Sequence, residues 1–155
     1  MHEKHLSDSF THDIDIATAL LELLDAEFDA LGQRDITRLQ EILGEKQPRL
    51  SLLAQHASER SRLMAQLNLP ATREGLAIFA ARAEQGPTLL EKADTLAGMI
   101  EQLQHKNQRN GRIIRANQTS LAGALGILRG TEVPDLYDSK GSTARIAQQK
   151  PLSQA

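Results

Sequence analysis

Apolar residues recur along most of the chain at alternating steps of four and three, the spacing of helices that bury one face. The first such segment covers residues 7–31. Ser7 or Asp8 is expected to cap its N-terminus, and Gly32 is expected to end it. Its buried seam would consist of Phe10, Ile14, Ala17, Leu21, Leu24, Phe28 and Leu31.

A second helix is predicted to follow directly, with Asp35 as its N-cap. Two basic residues, Lys46 and Arg60, occupy positions on its seam. Pro48 lies inside the segment, and a proline there removes a helical hydrogen bond, so a kink or short break is expected near 44–48. The seam would consist of Ile36, Leu39, Leu43, Lys46, Leu50, Leu53, Ala57, Arg60, Met64 and Leu67.

A turn at 68–70 separates these helices from a short third helix, predicted from a cap at Thr72 to Gln85. Pro87 is well placed at the first position of the next helix. That fourth helix keeps its period without interruption for about 42 residues, or about 63 Å. Its seam would consist of Leu89, Ala93, Leu96, Ile100, Leu103, Asn107, Asn110, Ile114, Asn117, Leu121, Ala124 and Leu128.

The helical period ends near residue 130. Residues 131–155 contain two prolines and few apolar residues, which predicts a flexible tail, with Leu136 and Tyr137 as an isolated apolar pair. We therefore expect a helical domain over 1–130 followed by this tail. The predicted fold is all-α: an elongated antiparallel bundle of three long helices and one short helix with coiled-coil-like packing.

Composition agrees with helix packing. Aromatic residues make up only 3% of the chain and Trp is absent, so the core must consist of Leu, Ile and Ala. The absence of Cys excludes disulfides and thiolate chemistry. No apolar run approaches the roughly 20 residues that span a bilayer, and the N-terminus lacks the apolar core of a signal peptide. A cytoplasmic protein without membrane insertion is expected.

Charge is unevenly distributed although the net charge is only −2. Residues 1–30 contain eight acids and one base, whereas 31–155 contain twelve acids and seventeen bases. This predicts that the acidic first helix lies beside a more basic one. The basic row on the fourth helix has no stacking aromatics nearby, so a solvated face or pairing with the first helix is favoured over nucleic-acid binding. The row consists of Lys106, Arg109, Arg112 and Arg115.

Three asparagines lie on the seam of the fourth helix: Asn107, Asn110 and Asn117. A polar residue on a helical seam can fix register or partner number, which would indicate that this stretch meets another polypeptide. Alternatively, the amides hydrogen-bond within the bundle, or are exposed where the helix extends past its neighbours.

No enzymatic arrangement of residues is apparent, and neither a metal nor another cofactor is expected, because the five histidines lack partner ligands at suitable spacing. His56 and His105 leave open a histidine phosphotransfer bundle. Such domains usually follow the histidine with Leu-Lys-Gly, which neither site has. A coiled-coil scaffold that self-associates through the fourth seam is a further alternative, and the same seam would allow a homodimer.

One stretch of the fourth helix resembles a known family. Asn107-Gln108-Arg109-Asn110-Gly111 is similar to the N-x-x-N-G signature of the FlgN family of flagellar export chaperones. The basic residues Lys46 and Arg60 fit the family's second helix. The segment Leu136-Tyr137-Asp138-Ser139-Lys140-Gly141 is similar to its tail motif. The resemblance covers about residues 7–141.

This resemblance implies a chaperone that binds hook-associated flagellar proteins through their C-terminal helical segments in the cytoplasm. It implies that the chaperone prevents premature assembly and delivers them to the cytoplasmic domain of the type III export gate. Tyr137 and Gly141 correspond to the part that docks on the gate. The implied cargo-binding residues are Asn110, Asn117, Leu121, Leu125, Leu128 and Leu136.

Overall fold

A computed structural model describes the backbone of residues 1–129 and the side chains of residues 1–118. In that part of the chain the fold is entirely α-helical. Three long helices and one short one confirm the predicted fold class, while the predicted tail, 131–155, lies outside the described residues. The helices are α1 (His2–Gln33), α2 (Ile36–Gln66), α3 (Arg73–Ala80) and α4 (Gly86–Arg129).

The first helix begins earlier than predicted. It starts at His2, so the expected cap at Ser7 or Asp8 is wrong. The reason is that Leu6 is buried in the core, which carries the apolar face one turn further upstream. Ser7 instead lies inside the helix, where its hydroxyl accepts a hydrogen bond from Lys92 Nζ at 2.7 Å. The helix ends on Arg34 in a left-handed conformation, with φ of 56°.

The second helix begins as predicted, because the Asp35 carboxylate accepts a hydrogen bond from the Arg38 backbone N–H at 3.0 Å. A kink or a short break was expected at 44–48. The helix continues through Pro48 without a break.

The connection through α3 is tighter than predicted. Thr72 caps α3 by accepting from the Gly75 backbone N–H at 3.1 Å, but the helix ends at Ala80 and not at Gln85. Gly86 lies against this end of α3, where a Cβ would be 2.0 Å from the Ala80 carbonyl oxygen, so the tight connection into α4 requires a glycine at this position.

Helix α1 lies at the centre of the bundle. Both α2 and α4 pack along it, but over the described residues they barely contact each other. The core is formed mainly by α1 leucines and alanines with the inner residues of α2 and α4. Its buried apolar residues on α1 are Leu6, Phe10, Ala17, Leu20, Leu23, Leu24, Ala30 and Leu31.

The long helices α1 and α4 run parallel. At one end, the Glu3 carboxylate accepts hydrogen bonds from the backbone N–H groups of Glu84 (3.1 Å) and Gln85 (2.6 Å), just before α4 begins. Toward the other end, Lys106 Nζ contacts Asp25 at 2.5 Å. This register places the end of α1 level with about residue 115, so the last part of α4 extends roughly 20 Å beyond it. None of the described helices could span a membrane.

Candidate partner-binding helix

Asn110 is the buried residue of the N-x-x-N-G stretch, with only 1% of its surface exposed. Its amide Nδ2 donates two hydrogen bonds, to the Leu24 carbonyl and to Glu27 Oε1, both at 2.8 Å. Its Oδ1 accepts from Arg109 Nε at 3.1 Å. The amide is therefore paired within the bundle, as a buried polar group requires.

Glu27 joins this amide to the second helix. It is buried, and its other carboxylate oxygen accepts a hydrogen bond from Lys46 Nζ at 3.0 Å. One carboxylate on the central helix thus connects Lys46 of α2 with Asn110 of α4. This pair explains why the basic residue Lys46 occupies a seam position of α2, because a buried carboxylate needs a cation and full hydrogen bonding.

Two members of the basic row on α4 turn toward α1, as expected from the charge distribution. The Arg109 guanidinium lies 4.0 Å from the ring centroid of Phe28, and its NH2 group approaches Asp25 Oδ1 at 3.4 Å. Hydrogen bonding from Lys106 lowers the pKa of Asp25 below its ordinary value, and Arg109 adds to the effect. This part of the row therefore serves the α1–α4 contact.

A second buried carboxylate, Asp13, lies nearer the other end of α1 and is fully buried. It accepts a hydrogen bond from Arg60 NH1 at 2.6 Å and lies 2.5 Å from His56 Nδ1. Arg60 also donates to the Ser9 hydroxyl at 2.8 Å and covers the ring of Phe10. The second basic residue on the α2 seam is therefore also paired with an acid of α1.

These contacts also bear on the histidines. The His56 ring stacks on His12 with centroids 5.8 Å apart, and it is held against the buried Asp13 carboxylate. An exposed phosphate acceptor would need the opposite arrangement, so His56 does not favour the phosphotransfer alternative. Among the described residues, no cluster of His, Asp or Glu side chains could hold a metal ion.

The predicted cargo-binding residues fall into four groups. Asn110 is enclosed by α1, so it has no surface to offer a partner and its contacts assign it to holding the helices together. Asn117 is exposed, as is Asn107. The backbone of α4 carries Leu121, Leu125 and Leu128 in the segment past the end of α1. Leu136 lies outside the described residues, as do Tyr137 and Gly141, the two residues expected to dock on the export gate.

Sequence reasoning missed the two buried acids. The signal was present, because Leu6, Asp13, Leu20 and Glu27 follow one another at steps of seven along α1. Two acids in an otherwise apolar row face the two bases on the seam of α2. Matching the acids of one predicted helix to the bases of the next would have identified both pairs.

Comparison with known proteins agrees with these features. The FlgN protein family model matches residues 1–145. A crystal structure of a protein described as a flagella synthesis protein, FlgN, from Pseudomonas aeruginosa is 41% identical, with a TM-score of 0.67. The match covers 79% of this chain and 94% of that one. Among curated proteins the comparison found no match. With the family model covering nearly the whole chain, the protein belongs to the FlgN family.

Proposed function

We propose that this chain is a cytoplasmic chaperone that binds hook-associated flagellar proteins and delivers them to the type III export gate. A flagellar role follows from the family. The observation that supports a chaperone is the continuation of α4 past the end of α1. That continuation has no charged residue from 116 to 128 and contains Leu121, Leu125 and Leu128 at steps of four and three.

An extended helix of this kind can hold the amphipathic helix of another protein. Apolar anchors at steps of three and four are the recognition pattern for helix-to-helix docking. A flagellar subunit whose terminal helix is occupied in this way cannot use it to assemble, so binding itself would prevent premature polymerisation. This contact lies on the part of α4 that extends past the end of α1, so cargo can be released at the gate without unfolding the bundle.

The proposal predicts that Leu125→Asp weakens cargo binding by about tenfold or more, because a charge would be buried in an apolar contact. Binding of the cognate hook-associated protein's C-terminal segment would be measured by isothermal titration calorimetry. Ile78→Asp is a matched control, because Ile78 is exposed on α3, far from the α4 extension. No binding by the unaltered chain at micromolar concentrations would refute the proposal.

The tail should act at a separate step. Tyr137→Ala is expected to leave the affinity for cargo within about twofold and to weaken capture of the cargo complex by the export gate's cytoplasmic domain about tenfold, by loss of one aromatic anchor. Both affinities would be measured by biolayer interferometry with the full chain. Equal losses in the two assays would contradict separate roles for Leu125 and Tyr137.

A further inference from the structure

Helix α2 has a face that the bundle leaves uncovered. Ile36, Leu43 and Leu50 were expected on a buried seam, but they are 63%, 50% and 46% exposed. The prediction is wrong for these residues because α2 packs chiefly on α1, through the neighbouring rows that contain Lys46 and Arg60. The uncovered row has no charged residue and consists of Ile36, Gln40, Leu43, Gln47, Leu50, Ala54, Ala57 and Ser61.

Helix α4 has an equivalent row beside the residues that it packs on α1. This row also lacks charge and consists of Ala93, Ala97, Ile100, Gln104, Asn107, Gly111, Ile114 and Gln118. Its steps of four and three continue without a shift into Leu121, Leu125 and Leu128. The proposed cargo leucines therefore occupy the same register positions of α4 as this row.

The two rows face one another across α1. Near α3, Ala57 and Ser61 of α2 line the same cleft of about 450 Å³ as Ala93 and Ala97 of α4. Leu6 and Phe10 of α1 also line this cleft, and α3 borders it through Leu76. Because α3 has only eight residues, it occupies just this end of the groove between α2 and α4.

We propose that the rest of this groove is a second part of the cargo site, and that it takes an amphipathic helix whose inward stripe is apolar and uncharged. The inference rests on the proposed function. A cargo helix that contacts Leu125 and continues along the same face of α4 toward α3 enters the groove and meets Leu43 and Leu50 of α2. In that position it completes a four-helix bundle around the described core.

Arg60, Arg73 and Asp94 also line the cleft at the α3 end, but the two rows that form the walls along the rest of the groove contain no charged residue, and this defines the occupant. A charged side chain entering the groove would lose water without finding a partner in either row, so the groove rejects it. Leu43 and Leu50 instead offer apolar contacts, and small residues such as Ala54 and Ala57 allow an apolar helix to approach closely. From Ile36 to Leu50 the open wall of α2 is about 21 Å long, which fits a partner helix of four turns.

The first experiment compares Leu→Asp variants on two faces of α2. Leu43→Asp with Leu50→Asp is expected to weaken binding of the cognate hook-associated protein's C-terminal segment about tenfold or more. Leu52→Asp is the matched control, since Leu52 is 41% exposed but lies on another face of the same helix, and it should stay within about twofold. Circular dichroism would verify that each variant folds.

Leu125→Asp, measured beside these variants, separates the inference from the proposed function. Weaker binding by Leu125→Asp, with unchanged binding by the Leu43 and Leu50 double variant, overturns the second site and leaves the chaperone proposal intact. A complete lack of binding by the unaltered chain overturns both.

The second experiment uses the absence of cysteine from the chain. Leu43→Cys and Leu52→Cys are each labelled with an environment-sensitive fluorophore and titrated with the same cargo segment. A blue shift at position 43 and none at 52 supports the inference. A blue shift at 43 that appears with rising chaperone concentration alone, together with dimers in sedimentation equilibrium, assigns the groove to a second copy and overturns it.

Discussion

Asn110→Asp is expected to destabilise the bundle by about 3 kcal/mol or more at neutral pH. The substitution keeps the shape of the side chain but replaces the Nδ2 donor with an oxygen. That oxygen would lie about 2.8 Å from both the Leu24 carbonyl and Glu27 Oε1, with no proton between them. Urea denaturation followed by circular dichroism measures the loss.

The loss should shrink as pH falls. Burial and the neighbouring Glu27 carboxylate would raise the pKa of the introduced carboxyl in the folded state, so folding disfavours its charged form. The part of the penalty that comes from the charge is therefore complete above the raised folded-state pKa and is lost as the pH falls to the unfolded-state pKa, relative to the unaltered chain at the same pH. Asn107→Asp is the control, because Asn107 belongs to the same stretch but is exposed. Similar losses in both variants would contradict the role given to Asn110.

Arg60→Ala is expected to lower the free energy of unfolding by about 3 kcal/mol. It removes the Arg60 hydrogen bonds to Asp13 and Ser9, and the fully buried Asp13 carboxylate keeps only His56 as a partner. Urea denaturation followed by circular dichroism measures this loss as well.

A surface pair supplies the control for Arg60. Arg73 also binds a carboxylate, that of Asp94 at 3.0 Å, but both side chains are more than half exposed. Arg73→Ala should leave stability unchanged within error, since water replaces the lost contact. The double replacement Asp13→Leu with Arg60→Leu should recover part of the loss, because no buried charge remains. Equal losses of unfolding free energy in Arg60→Ala and Arg73→Ala would contradict the larger contribution assigned to the buried pair.

Helix content was predictable because it depends on local spacing. The period of α4 predicted a helix within two or three residues of its observed ends, and the Asp35 and Thr72 caps were identified from residue type. The helical period and the caps each depend only on residues close together in the sequence. The early start of α1 was missed because it depends on the burial of Leu6 against other helices. A single apolar residue upstream of a good cap does not reveal that burial.

The arrangement of the helices was harder to predict. A seam with apolar residues in two adjacent rows does not show which row meets a neighbour. Leu43 and Leu50 were therefore expected to be buried, although α2 packs chiefly on α1 through another row. The same uncertainty applied to Asn110, because the sequence allowed its amide either to hydrogen-bond within the bundle or to contact a partner protein. Only the register between α1 and α4 brings its amide to Glu27.

The central position of α1 has a consequence for the order of folding. Its contacts with α4 join residues about 80 positions apart, whereas those with α2 join closer segments through a short turn. Loop closure over the longer distance has the larger entropic barrier, so an α1–α2 hairpin should form first and α4 should dock last. During synthesis, the α1 surface that later receives α4 stays exposed until the ribosome has released nearly the whole chain, and a prematurely terminated product would be prone to aggregation.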